Sequence, residues 1–339
     1  MTIRRTLTAM TAVAALTALA ACGDDNGDEN GEGNGAEAPE PEIGSEEDFV
    51  TDLEFTTGGT GGTYFPLGGE LSEIFSEHTD ANVNYVESGG SGENLGRIMQ
   101  EQSQLALVQN DTTADAVAGE LEALGGEAVE NVGWIANLYP EAMHIVVLAD
   151  SGYESIEDLE GATIAVGDAG SGTRAISDAI LEYYEIDYTP EVTDFGTSTD
   201  MLADGQIDAS MFVAGPPVGA LTQLAASNDA QLISLPAEDA EAIAEDHLFD
   251  TYDISADSYD FLDEDVTTLS VFAALVASTT QVSEDLAYDI TAALFEHGDT
   301  VTLDVADNLD VEEALFGIGD IPLHPGAERY YEENDIDLP

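Results

Sequence analysis

The 339 residues carry 71 Asp and Glu against five Lys and Arg, a formal charge of −66, and all five basic residues are arginine. A surface of that sign repels nucleic acid and anionic membrane, which excludes both as partners of a general electrostatic field. The acids spread over the whole chain as a solvated shell, a composition suited to a salt-rich habitat in which self-repulsion is screened, and no D-x-[DN]-x-[DN]-G calcium loop occurs.

In chain order, Arg4 and Arg5 precede the uncharged run Leu7 to Ala21, which is too short to span a membrane and has the layout of a signal peptide. The run ends in Leu19-Ala-Ala-Cys22, which resembles a bacterial lipobox. Residues 1–22 are therefore expected to be a lipoprotein signal peptide, and Cys22 the lipidated first residue of an exported chain. That chain would be anchored to the outer face of the cytoplasmic membrane, in a periplasm or at the cell surface. Cys22 is the only cysteine, so an intrachain disulfide is excluded. Residues 23–50 are mostly Gly, Asn, Asp, Glu and Pro and are expected to be a disordered acidic tether.

The folded part opens on a strand, Leu53 to Thr57, followed by Gly58-Gly-Thr-Gly-Gly-Thr63 and a segment with helical spacing at Leu67, Leu71, Ile74 and Phe75. Glycines let successive N–H groups converge, and the helix start adds free donors and a positive dipole end, so the tract is an anion cradle. It is not a nucleotide loop, because the chain has no Gly-Lys-Ser/Thr ending and Tyr64 stands where a GxGxxG needs its last glycine. Two tracts of the same kind follow. Ser88-Gly-Gly-Ser-Gly92 comes after the strand Val83 to Glu87, and Gly167-Asp-Ala-Gly-Ser-Gly-Thr173 comes after Thr163 to Val166, each ahead of a helix. Each is either an ordinary turn or one wall of a shared site. Further strands are expected at Leu105 to Gln109, Val132 to Leu138, His144 to Ala149, Ala209 to Val213 and Leu232 to Leu235, then a long apolar run Thr267 to Ala277 and a helix Glu284 to Glu296.

Strands alternating with helices predict an α/β fold of two lobes, each a mostly parallel sheet flanked by helices. The lobes are expected at 51–148 with 269–339 and at 149–268, joined by crossing hinge strands, with a cleft between them where strand ends and helix starts meet. The histidines at 78, 144, 247, 297 and 324 show no metal spacing, so neither a metal nor a cofactor is expected.

Six tracts in this order resemble the TAXI family of TRAP transporter solute receptors: Thr57 to Gly69, Glu87 to Leu95, Leu105 to Asp111, Leu138-Tyr-Pro-Glu141, Gly170 to Thr173 and His324 to Tyr331. The resemblance covers nearly the whole folded part and implies a type II binding protein that closes on a small organic anion, a glutamate-like amino acid or a dicarboxylate. It implies delivery to the membrane subunits of a TRAP permease, with no catalysis, by a monomer. The alternatives are a receptor of an ABC importer and an enzyme on the same two-lobe fold. For the second, no Ser-His or Cys-His arrangement stands among the candidate site residues.

On that resemblance the first cradle supplies Gly59, Thr60, Gly61, Gly62, Thr63 and Tyr64 as ligand contacts, and the second supplies Ser88 and Ser91. Gln109 and Asp111 end a strand at the same rim; Asp111 is equally a loop anchor. In the second lobe Ser171, Gly172 and Thr173 stand at a helix start, where they bind a carboxylate or cap the helix. Arg174 either forms a guanidinium–carboxylate pair with the solute or turns outward. Gly215, before Pro216-Pro217, lines the cleft or starts the next helix, and Trp134 and Tyr139 fall near the inter-lobe region.

Overall fold

A computed structural model describes residues 41–245 and 247–339. The expected signal peptide, Cys22 and the tether up to residue 40 lie outside the described residues. The last stretch of the expected tether is tied down: Glu42 N donates to Glu130 O (2.7 Å), Gly44 N to Thr279 O (3.1 Å) and Val50 N to Gln281 O (2.9 Å).

The first lobe begins as three strand–helix steps, β1 (Asp52–Thr56) to α1 (Tyr64–His78), β2 (Asn82–Val86) to α2 (Ser91–Met99) and β3 (Leu105–Gln109) to α3 (Asn110–Ala118). These strands pair in parallel, with β1 between β2 and β3. All of β3 is buried, as an apolar strand covered on both faces must be. On α1, Leu67, Leu71, Ile74 and Phe75 form one buried stripe, the helical spacing read in the sequence.

Next, β4 (Val132–Leu148) runs through both lobes. The second lobe follows: β5 (Thr163–Ala165), α4 (Thr173–Tyr183), β6 (Thr189–Glu191), α5 (Phe195–Ala203), β7 (Ala209–Ala214), α6 (Gly219–Ala225), β8 (Ala230–Leu232), α7 (Ala237–Glu245) and β9 (Asp250–Ile254). A second long strand, β10 (Val266–Ser278), returns the chain to the first lobe, where α8 (Glu284–His297) and α9 (Pro325–Glu333) complete it. The pairing order is β2-β1-β3-β10-β4-β7-β5-β6, with β8 on β4 and β9 on β10. The outer strands of each lobe are parallel, whereas β4 and β10 are antiparallel to their neighbours, so the sheet is mixed.

Both crossing strands contribute side chains to four core clusters, two in each lobe, of which one from each lobe shows the division. Ile135, Leu138, Ala273 and Leu275 pack with Phe55, Leu71 and Phe75; Met143, Ile145, Val147, Leu269 and Val271 pack with Ile164, Ile180 and Met211. Burial of each such side chain contributes roughly 1.5–3 kcal/mol. The surface pairs of Arg97, Arg174 and Arg329 contribute about 0.2–1 kcal/mol each, so the cores decide the fold.

The structure corrects the strand expectations in three places, the first being the strand expected at Leu232 to Leu235, which is β8 at Ala230–Leu232 and ends before Ile233. One continuous β4 replaces the strands 132–138 and 144–149: Pro140 falls beside a register shift in the pairing with β10, which tolerates a residue without an N–H. The unanticipated β6 and β9 are short polar strands at sheet margins, with no apolar run to announce them. No helix of the described residues is long and apolar enough to cross a membrane.

Candidate functional site

The three glycine tracts meet. A cleft where β4 and β10 cross is lined by Gly59, Gly61, Gly62, Thr63 and Tyr64 from the first tract and by Ser88 and Ser91 from the second. Gln109 from the end of β3, and Ser171, Gly172 and Thr173 from the third tract, complete the expected residues that line it. The remaining expected residues lie elsewhere. Thr60 faces an adjoining groove outside the cleft, with Pro66 and Ala220. Asp111 is buried behind the wall at the start of α3. Arg174 turns outward and pairs through Nε with Asp178 Oδ2 at 2.6 Å. Gly215 is a contact between lobes: its carbonyl accepts from Thr63 Oγ1 at 3.1 Å, and a Cβ there would meet the Tyr139 ring at 2.7 Å. Trp134 is wholly buried in the first lobe, donating through Nε1 to Ala314 O.

Three helices begin on the cleft wall without a side-chain bond from the N-cap residue: α1 after Thr63, α2 after Gly90 and α4 after Gly172. First-turn N–H groups have no partner within their helix, so these starts gather donors and positive dipole ends in one place, although on α2 Gly92 N is taken by Gly170 O (2.8 Å) and on α4 Thr173 N by Ser171 Oγ (3.2 Å) and Arg174 N by Ser171 O (3.3 Å). The wall hydroxyls are largely committed to bracing the loops. Ser88 Oγ donates to Thr57 O (3.1 Å), Ser91 Oγ accepts from Gln109 N (3.1 Å) and Thr173 Oγ1 accepts from Val213 N (3.2 Å). Ser91 Oγ and Thr173 Oγ1 only accept in these bonds, so their O–H groups stay free to donate to an anion beside the backbone N–H groups.

Glycine also permits the lobes to touch. Gly92 N donates to Gly170 O at 2.8 Å, and a Cβ on Gly92 would stand 2.8 Å from that oxygen. A Cβ on Gly61 would stand 2.8 Å from Gly196 N. The cleft so closed is narrow, with a cavity volume of about 50 Å³.

Sequence reasoning did not place Glu141, Asp168, Asp194 or Phe195 on the wall. Asp194 caps α5, accepting from Thr197 N at 3.0 Å. Phe195 stacks on Phe212, which stacks on His144, whose Nε2 lies 2.8 Å from Tyr259 Oη. Glu141 is the acid that matters most, 2% exposed and accepting from Tyr64 Oη at 2.9 Å. Burial pushes its carboxyl up to about 8, against hydrogen bonds from Tyr64 and Gln109 that favour the charged form, and nearby Asp111 pushes it further up. Burial likewise pushes Asp111 up to about 7. The signal was present in the sequence, since Glu141 is the one acid in the apolar run Val132 to Leu148. No arginine lines the cleft, and no group of three or more His, Cys, Asp or Glu able to hold a metal occurs among the described residues.

The fold is shared with two-lobe periplasmic binding proteins. A protein of Bordetella bronchiseptica RB50 is similar at 18% identity, covering 84% of this chain and 82% of its own, with a TM-score of 0.52. An ancestral arginine-binding protein bound to arginine is similar at 14% identity, covering 77% of this chain and 97% of its own, with a TM-score of 0.50. The family model described as "NMT1-like family" matches residues 55–334. That span takes in both lobes and the cleft between them, and the chain belongs to the NMT1-like family.

Proposed function

We propose that this chain is an extracytoplasmic solute receptor that captures a small organic anion, foremost a glutamate-like amino acid, between its lobes. The observation that carries the proposal is the convergence of three glycine-tract helix starts on one inter-lobe cleft. A carboxylate there takes its donors from backbone N–H groups and the dipole ends behind them, without a basic side chain. A chain of this net charge cannot attract an anion through its overall field, so capture rests on those local donors. The narrow cavity requires the lobes to part for loading, and β4 and β10 are the strands across which they would hinge.

The sequence resemblance supports delivery to a TRAP permease by a receptor held at the membrane through a lipid on Cys22. The arginine bound by one similar structure is an amino acid, as the proposed solute is, and it does not separate TRAP from ABC delivery.

The test is a calorimetric and thermal-shift screen of the purified chain in molar KCl against amino acids, dicarboxylates and 2-oxo acids. One class should bind 1:1 and raise the Tm; at a hundred times Kd the stabilisation is about 2.7 kcal/mol. A panel without a single binder, together with turnover of a supplied substrate, would establish an enzyme instead. Uptake by proteoliposomes bearing the cognate permease, driven by a sodium gradient without ATP, separates TRAP from ABC delivery.

A further inference from the structure

Glu141 lies on β4 at the crossing, opposite Val271 of β10, and its carboxyl reaches the cleft. The groups that face it are Tyr64 from α1, Gln109 from the end of β3, Asp111 from α3, and Tyr139 of its own strand. Asp168 and Asp194 line the wall contributed by the second lobe. None of these is a cation, and Arg97, Arg174 and Arg329 are each paired with acids outside the cleft. A carboxylate enclosed by a phenol, an amide, acids and an apolar strand has no counter-charge, so the neutral acid is the stable form of the empty cleft. A cation placed beside it reverses that preference.

We propose that Glu141 is the specificity-determining group of the cleft: neutral while the cleft is empty, it releases its proton to solvent and receives the ammonium group of an α-amino acid as a carboxylate. The solute's own carboxylate meanwhile rests on the helix starts. This inference rests on the receptor reading above and narrows it, from organic anions at large to zwitterions that carry an ammonium. Dicarboxylates and 2-oxo acids offer no cation to Glu141, leave it neutral and gain nothing from its ionisation. Because the residue sits on a hinge strand shared by the cores of both lobes, charge pairing occurs where the lobes rotate against each other.

Calorimetry with L-glutamate and 2-oxoglutarate, which differ only at the α-substituent, tests this in molar KCl. Wild type should bind L-glutamate at least thirtyfold more tightly than 2-oxoglutarate. Titrations in buffers of different ionisation enthalpy should show about one proton released per glutamate at pH 6.5, and Kd should tighten about tenfold from pH 6 to pH 7. In Glu141→Gln, proton release should vanish and the preference should shrink to within threefold. The proton count needs no variant, so misfolding of Glu141→Gln would not remove the test. Equal binding of the two probes, tighter 2-oxoglutarate, or glutamate binding without proton release overturns the inference and leaves the receptor reading standing. Failure of both probes and of every member of the wider panel overturns the receptor reading itself.

Discussion

At the scale of single residues, Glu141 and Arg174 exchange the roles that charge alone suggests. Arg174 adjoins an anion-cradle loop in the sequence, yet its guanidinium meets Asp178 one helical turn on and stays outside the cleft. Arg174→Ala should therefore leave solute affinity within twofold of wild type by calorimetry, and lower stability by about 1 kcal/mol at most, as for an exposed pair. A tenfold loss of affinity would put the guanidinium on the solute. For Glu141, the folded-state carboxyl at about 8 stands above its ordinary unfolded value, so the native state holds more protons between the two. Its neutral form stabilises the empty protein below the unfolded value, and that stabilisation is lost as pH rises towards 8. Buried His144 and His324, held down to about 4 by burial, act oppositely: stability falls as pH drops from 6.5 towards 4. Scanning calorimetry of the empty protein should show Tm falling from pH 6.5 to pH 8.5 in wild type, and a clearly flatter profile in Glu141→Gln. The three loops were legible in the sequence as strand-to-helix turns from their glycine and serine clusters, while their meeting on one cleft depends on the packing of the lobes. Glu141 was not legible as a contact because it falls between the two expected strands 132–138 and 144–149, and its approach to Tyr64 joins residues 77 positions apart.

At the scale of elements, the glycine loops do two jobs that one composition conceals. Their helix starts supply donors, and their bare backbones let the lobes touch at Gly92 and Gly170 and at Gly61 and Gly196. Gly92→Ala puts a methyl against a backbone oxygen that has no side chain to move aside, so closure should be blocked while each lobe keeps its core. The expected result is at least a tenfold loss of solute affinity with the Tm of the empty protein within about 2 °C of wild type. Affinity unchanged in that variant would show that the bound form does not bring these glycines together. Strands with apolar runs were readable, β3 and β10 most clearly, since burial on both faces demands continuous apolar sequence. Pro140 hid the continuity of β4: an interior proline ordinarily argues for two strands, and the register shift that accommodates it depends on pairing with a strand far along the chain.

At the scale of the whole molecule, the charge of −66 and the buried cores pull in opposite directions. Repulsion among surface acids opposes compactness and falls off with salt, whereas burial of the cores holds the chain together at any ionic strength. Tm should therefore rise steeply from 0.1 M to 2 M KCl, as followed by scanning calorimetry; a flat profile would show that the acids serve some purpose other than life in salt. The α/β fold could be inferred from alternating strands and helices, but which residues meet across the cleft could not, because those contacts are set by the angle between lobes. What the cleft holds, and in which orientation, is decided by a crystal structure of the chain with the tightest-binding member of the solute panel: the solute carboxylate should lie at the first-turn N–H groups of α1, α2 or α4 and the ammonium within hydrogen-bond distance of Glu141. A solute seated outside the cleft, or one whose carboxylate rests on Glu141, would contradict that placement.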